Sequence, residues 1–316
     1  MVEDLVKGPG TQNLPLLLVL VGPTGSGKTT LSLQLAGRLR GEIVSCDSVA
    51  VYRELEIGTA KPSREERMRV PHHLIDVVAP DEPYTAGDYC RDAREAVRGI
   101  ASRGFVPIVV GGTGLYLRAF LQGLFPGPPR SEELREKLRR REEASPGWLH
   151  RVLKRLDATA AERIHANDVP KLVRALEVRM TTQKTMDEAW EAGREALTGF
   201  HIVQVGLAPE RERLYQRINR RAAEMFERGL VEETERLLGR YGYECRPLQS
   251  LGYAQACAVL RGEMTRDEAV ASAQQGHRNY AKRQGTWFRR ETGVHWLAGC
   301  GDDEGIADAV MKIMAM

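Results

Sequence analysis

Residues 16–30 read LLLVLVGPTGSGKTT, an apolar run that leads straight into a glycine-rich loop. Leu16–Val21 is short, β-branched at two places and bounded by Gly-Pro, which reads as a buried parallel strand. The pattern G-x-x-x-x-G-K-[ST] is then filled by Gly22, Gly27, Lys28 and Thr29, with Thr24, Gly25 and Ser26 inside it. The glycines let successive backbone N–H groups turn toward one anion. A helix starting near Lys28, with the apolar spacing of LSLQLAGRL, adds the positive end of its dipole, and Lys28 adds a full charge. The Thr29 hydroxyl is the usual Mg²⁺ ligand of such a loop, so Mg²⁺ is the expected cofactor. A nucleotide-binding loop of this kind specifies a bound di- or triphosphate. It leaves open which one, and the reaction.

The bulk properties set looser bounds. A chain of 316 residues holds one large or two modest domains, and 42% hydrophobic with 28% charged residues is a globular composition. A net charge of +3 is too small to argue for nucleic acid by itself, so any such case rests on local clustering. The cysteines (Cys46, Cys90, Cys245, Cys257 and Cys300) are scattered without a C-x-x-C pair. That argues against a disulfide framework or a zinc module and fits a reducing cytosol. Leu14–Val21 runs into the loop with no small-residue cleavage site, and no apolar stretch approaches the ~20 residues of a membrane helix. A cytoplasmic monomer with no membrane partner is expected. Residues 1–13, with Gly8, Pro9 and Gly10, read as a flexible tail.

Outward from the loop, strand and helix alternate. Glu42–Cys46 (EIVSC) is a strand ending in Asp47-Ser48, Thr85–Ser102 has helical spacing, and Phe105–Val110 (FVPIVV) is a strand ending in Gly111-Gly112-Thr113-Gly114. Three strands thus deliver polar loops at their carboxyl ends, where an open parallel sheet binds ligands. The character changes at Pro126, Pro128 and Pro129. From there to about Thr198 the chain is Arg/Glu-rich and helical, with Ser131 and Asp168 as helix caps. His201–Leu207 is strand-like again. The expected fold is α/β: a P-loop NTPase-like parallel sheet flanked by helices, built from 14–122 and 201–316, with an all-helical insertion over 123–200.

Three further stretches carry candidate chemistry. Asp47 places a carboxylate opposite the phosphate loop, where an acceptor nucleophile could lie; an Asx turn or helix cap would use it as well. Thr113 offers a hydroxyl between glycines that permit close backbone approach, and a plain strand-to-helix turn competes. In GHRNYAKRQGTWFRRE (276–291), helical spacing puts Arg278, Lys282 and Arg289 on one face and Arg283, Trp287 and Arg290 on the next. Tyr280 and Phe288 interleave with them, and residues 278–290 contain no acid. Solvated faces normally mix in acids, so phosphate contacts with base stacking are the favoured reading. His72-His73 lacks metal-ligand spacing and is expected to order its segment.

Taken together, these stretches resemble the tRNA dimethylallyltransferases, or tRNA isopentenyltransferases. The resemblance is carried by GPTGSGKT (22–29), DSVAVYRELEIGTAKP (47–62), VPHHLIDVVAPDEPYTAGDY (70–89) and VGGTGLYLRA (110–119). RIHANDVPKLVRALEV (163–178), PLQSLGYAQA (247–256) and YAKRQGTWFR (280–289) extend it. It implies transfer of a dimethylallyl group from dimethylallyl diphosphate to N6 of the adenosine 3′-adjacent to the anticodon, with release of diphosphate. It also implies catalytic roles for Asp47, Thr113 and Arg217, and diphosphate binding by Gly22, Thr24, Gly25, Ser26, Gly27, Lys28 and Thr29. The anticodon stem-loop would meet Asp47, Ser48, Val49, Ala50 and Thr113 in the core, with Lys171 and Arg174 gripping it from the insertion. Gln249, Gly252 and Tyr253 would add contacts, as would Arg278, Lys282, Arg283, Gln284, Trp287 and Arg289. A small-molecule or nucleotide kinase, or a non-catalytic RNA-binding protein, would share the loop. A kinase leaves the basic-aromatic stretch unexplained, and a mere binder leaves Asp47 and Thr113 unexplained.

Overall fold

The computed structural model describes residues 14–125, 127–191 and 195–315; the tail expected over 1–13, and Pro126, lie outside the described residues. Leu16–Val21 (β1) is buried along its whole length because it has strand neighbours on both sides. The other strands are Gly41–Cys46 (β2), His72–His73 (β3), Val106–Gly111 (β4), His201–Ala208 (β5) and Val294–Ala298 (β6). They form one sheet in the order β3-β2-β4-β1-β5-β6, and every pair is parallel. Register sets up the site. Val21 lies beside Gly111, and Gly111 beside Cys46, so the phosphate loop, the Gly112–Gly114 loop and Asp47 leave the sheet at the same end. Sequence reading finds neither β3 nor β6. Both are short edge strands, and β6 is mostly exposed, so no apolar run marks it.

Helices Lys28–Leu39 (α1), Arg64–Arg69 (α2), Ala86–Ser102 (α3) and Gly114–Gln122 (α4) run between the early strands. Thr85 and Asp88 close a capping box on α3, and Tyr89, Ala93, Val97 and Ile100 form its buried stripe. The chain divides into two compact units, 1–120 with 197–316, and 121–196. The second unit is helical: Glu132–Ala144 (α5), Trp148–Leu156 (α6), Ala158–Arg163 (α7), Val169–Thr182 (α8) and Met186–Glu191 (α9). Leu138, Leu149, Leu153, Leu172 and Leu176 make its core. Ser131 caps α5 and Asp168 caps α8, as expected.

The first unit resumes with β5, then Arg211–Glu227 (α10), Leu230–Tyr241 (α11), Tyr253–Leu260 (α12), Arg266–Phe288 (α13) and, after β6, Ile306–Met314 (α14). On one face of the sheet Leu18, Leu20, Ile108 and Val205 pack with Leu31 and Leu35 of α1 and Ile306 and Val310 of α14. Helix α13 ends sooner than its charge pattern suggests. Arg289 caps it with its N–H still on the Gly285 carbonyl, and the chain leaves the regular ladder at Arg290, whose N–H folds back onto the Trp287 carbonyl. No helix among the described residues is long and apolar enough to cross a membrane.

Candidate active site

The three loops at the carboxyl end of the sheet, with walls from α10, α13 and residues 58–62, enclose a cleft of about 640 Å³. Gly25 and Gly27 hold left-handed backbone (φ 81° and 83°), which brings the loop into the first turn of α1. A side chain at Gly27 would also strike the Gly301-Asp302 turn, with Asp302 Oδ1 at 2.6 Å. The N–H groups of Lys28 and Thr29 open the helix and have no partner within it. Lys28 Nζ donates to the Gly22 and Pro23 carbonyls, both at 2.8 Å. Burial, and next the charge of Arg221, lower the Lys28 ammonium to about 7. Thr29 is exposed at the cleft, whereas the Ser26 hydroxyl is buried without a partner among the described residues.

Asp47 serves both readings of its position. Its Oδ1 accepts from Val49 N (2.8 Å) and Ala50 N (3.0 Å), an Asx turn, while Oδ2 takes no hydrogen bond among the described residues and the residue lines the cleft. The Thr113 hydroxyl accepts from Ser48 N at 3.1 Å, so it holds the Asp47 turn in place. Tyr280 faces both residues; burial and the Asp47 charge push its phenol up to about 12.

Charge around the cleft is unbalanced. Lys28, Lys61, Arg217, Arg220, Arg221 and Arg283 line it against Asp47 and Glu224. Some of these cations are neutralised: Lys61 pairs with Asp76, and Arg217 bonds Gly25 O and Asp302 Oδ2, both at 2.9 Å. Arg221 is different. It is half-buried between Lys28, Asp47 and His277 and makes no hydrogen bond or ion pair among the described residues. Burial followed by Arg221 lowers His277 to about 4, so its imidazole is neutral, and its buried Nε2 also lacks a partner. Sequence reading missed both groups. The signal for Arg221 was present, since it falls one helical turn after Arg217 and therefore on the same face of α10.

Other expected contacts are moved by the structure. Tyr253 is fully buried, so it cannot reach RNA: its hydroxyl donates to Glu233 (2.6 Å) and accepts from Gly58 N (3.2 Å), pinning the opposite wall of the cleft. Gly252 is buried too and starts α12 at φ 94°. Gln284 is buried between two loops rather than facing RNA. The aromatic rings of α13 turn inward. Phe288 is buried, and Arg118 covers the Trp287 ring at 4.3 Å, which leaves no open stacking platform there. Gln249, Ser48, Val49 and Ala50 do line the cleft. Lys282, Arg283 and Arg289 are exposed without a carboxylate partner among the described residues, and Arg278 bonds Asn219 and Gln275. In the helical unit Lys171 is exposed and bonds Asp168 at 2.5 Å, while Arg174 bonds Glu177 and the Pro128 carbonyl.

Comparison with known proteins places this geometry. The profile of the family described as IPP transferase matches residues 50–291, and that of isopentenyl transferase matches residues 15–75. A tRNA dimethylallyltransferase of Koribacter versatilis is 65% identical over 95% of this chain and 98% of its own length. The crystal structure of the full-length tRNA isopentenylpyrophosphate transferase from Bacillus halodurans superposes with a TM-score of 0.70 at 37% identity, covering 95% of this chain and 96% of that one. A structure described as a eukaryotic dimethylallyltransferase acting on tRNA gives a TM-score of 0.80 at 27% identity, over 95% of this chain and 77% of that one.

Proposed function

We propose the following function from the fact that the chain belongs to the IPP transferase family. It is an enzyme, a tRNA dimethylallyltransferase, and the names its relatives carry favour this over a kinase or a non-catalytic RNA binder. The donor is dimethylallyl diphosphate, and the acceptor is N6 of the adenosine 3′-adjacent to the anticodon. The observation that carries this reading is one cleft holding a phosphate loop, the unpaired Arg221 and an Asp47 oxygen free to take a proton.

In this reading the bond from the allylic carbon to its oxygen breaks, and the electron pair leaves with diphosphate. Lys28, Arg221 and the loop N–H groups face the negative charge that grows there, and Arg217 steadies the loop through Gly25 O. The adenine amine is a weak nucleophile because its lone pair is delocalised into the ring. Asp47 Oδ2 orients it and takes its proton as the nitrogen–carbon bond forms. Thr113 keeps Asp47 in register through Ser48. The base leaves its stack to reach the cleft, as bases do in other modifying enzymes. Mg²⁺ fits the hydroxyl oxygen on offer: Thr29 would hold it, and when bound it would supply positive charge to the departing diphosphate. The phosphates of the anticodon stem-loop would run along Lys282 and Arg283, with further contacts from the helical unit around Lys171. Such a substrate, with five free cysteines, supports a cytoplasmic location.

Labelled dimethylallyl diphosphate and unmodified tRNA test this directly. The protein should transfer label to tRNA, and Lys28→Ala should abolish transfer. Asp47→Ala should lower turnover by about two orders of magnitude or more, while tRNA affinity barely changes. Phosphoryl transfer from ATP without prenyl transfer would overturn the reading.

A further inference from the structure

The inner face of α13 meets both substrate loops through one buried amide. Gln284, 6% exposed, accepts from Thr24 N of the phosphate loop at 2.8 Å and donates to Gly112 O at 2.9 Å. Gly112 leaves room for it, since a Cβ there would stand 2.1 Å from Gln284 Nε2. Three residues on, Trp287 lies against Gly114, where a Cβ would stand 2.2 Å from its Nε1. Thr113, between these glycines, accepts from Ser48 beside Asp47. Contacts therefore run without a break from α13 to the diphosphate loop and to the Asp47 turn. The same helix carries Lys282 on its outer face and Arg283 at the rim of the cleft, both exposed and unneutralised among the described residues.

We propose that Gln284 is a positioning residue that couples the two substrates: tRNA phosphate bound along Lys282 and Arg283 seats α13 against the Gly112–Gly114 loop, and Gln284 passes that seating to Thr24 of the diphosphate loop. The amide suits this because Thr24 needs an acceptor and Gly112 needs a donor. A carboxylate supplies only the first, and an apolar side chain supplies neither. Gln284 touches no reacting atom; it acts through the shape of the loop. The coupling rests on the tRNA reading above, whereas the anchoring of the loop does not.

Inorganic pyrophosphate is the probe, titrated calorimetrically with and without unmodified tRNA. Wild type should bind pyrophosphate about fivefold or more tighter with tRNA present, the lower end of common coupling energies. Gln284→Met should lose that gain while tRNA affinity stays within about twofold. Gly112→Ala, which pushes the amide out from the other side, should do the same, and it decides the matter if Gln284→Met does not fold. Equal coupling in wild type and variants overturns the proposal, as does no coupling in wild type. A loss of tRNA affinity in Gln284→Met matching that of charge reversal at Lys282 would mean direct RNA contact and also overturns it. Transfer by the same wild-type preparation is measured alongside. Its absence would sink the prenylation reading, while pyrophosphate binding would still report on the bridge.

Discussion

The cleft of the sheet unit and the helical unit are both rich in arginine, yet they treat charge in opposite ways. At the cleft Arg221 is half-buried, Lys28 bonds only carbonyls, Lys282 and Arg283 face solvent, and among the described residues Arg221, Lys282 and Arg283 have no carboxylate partner. In the helical unit many of the cations are matched. Arg130 pairs with Glu132, Lys137 with Glu133, Arg139 and Arg140 with Glu136, Arg163 with Asp187, and Arg135 and Arg174 with Glu177. A buried cation without a counter-charge costs folding energy unless a ligand supplies one, so it marks a binding site. A matched cation marks the fold.

The largest expected effect lies at the matched end. Glu177 is fully buried and accepts from Arg135, Arg174 and Ser131 N. Burial alone would raise its pKa, but these bonds outweigh it and hold the carboxyl at about 2. Glu177→Gln should therefore destabilise the helical unit by about 3 kcal/mol, the scale of breaking a buried pair, in chemical denaturation of the full chain. The sign with pH follows from a folded value below the unfolded one. The stabilisation is complete above about pH 4.5, fades as pH falls toward 2, and is absent in the variant. Pyrophosphate binding should be untouched. If Glu177→Gln unfolds like wild type at neutral pH, matching of charge is not what holds this unit.

How much of this was legible in sequence follows the same division. The phosphate loop was readable because its backbone geometry demands glycines at fixed spacing, and β1 because its burial demands an unbroken apolar run. Asp47 was readable as a carboxylate at a strand end, but not as an Asx turn with one oxygen to spare, since only folding shows which oxygen is used. Tyr253 and Gln284 lie in stretches that carry the family resemblance, and sequence alone could not show that their polar ends point inward. Arg174 was read as an RNA contact for its charge. Its partner Glu177 was visible three residues later, where a helix brings the two side chains together.

At the unmatched end, Arg221→Met should weaken pyrophosphate binding about tenfold or more, the scale of a charge-assisted hydrogen bond lost from a site shielded from water. It should leave stability unchanged or raise it slightly, because a half-buried charge without a bonded partner is removed. Calorimetric titration and thermal melting read the two effects together. A variant that loses stability but keeps pyrophosphate affinity would make Arg221 a packing residue and erase the contrast.

The smallest effects, on tRNA binding against salt, test whether the contrast extends to the surface. Each phosphate neutralised by a protein cation releases counterions, which steepens the fall of affinity with salt by roughly 0.7 to 0.9 in the logarithmic slope. Lys282→Glu with Arg283→Glu removes two unpaired exposed cations and should flatten the slope by about 1.5. Lys171→Glu should flatten it by less than about 1, since Asp168 already shares that charge in the free protein. Arg174→Glu should behave unlike either. Its guanidinium is engaged with Glu177 and Pro128, so reversal sets two carboxylates side by side and lowers stability, with little change in slope. Affinity is therefore compared only at temperatures where every variant is folded. If Arg174→Glu flattens the slope as much as the Lys282 and Arg283 pair does, then a cation bonded inside the fold still meets RNA, and pairing no longer separates structural from binding charge in this protein.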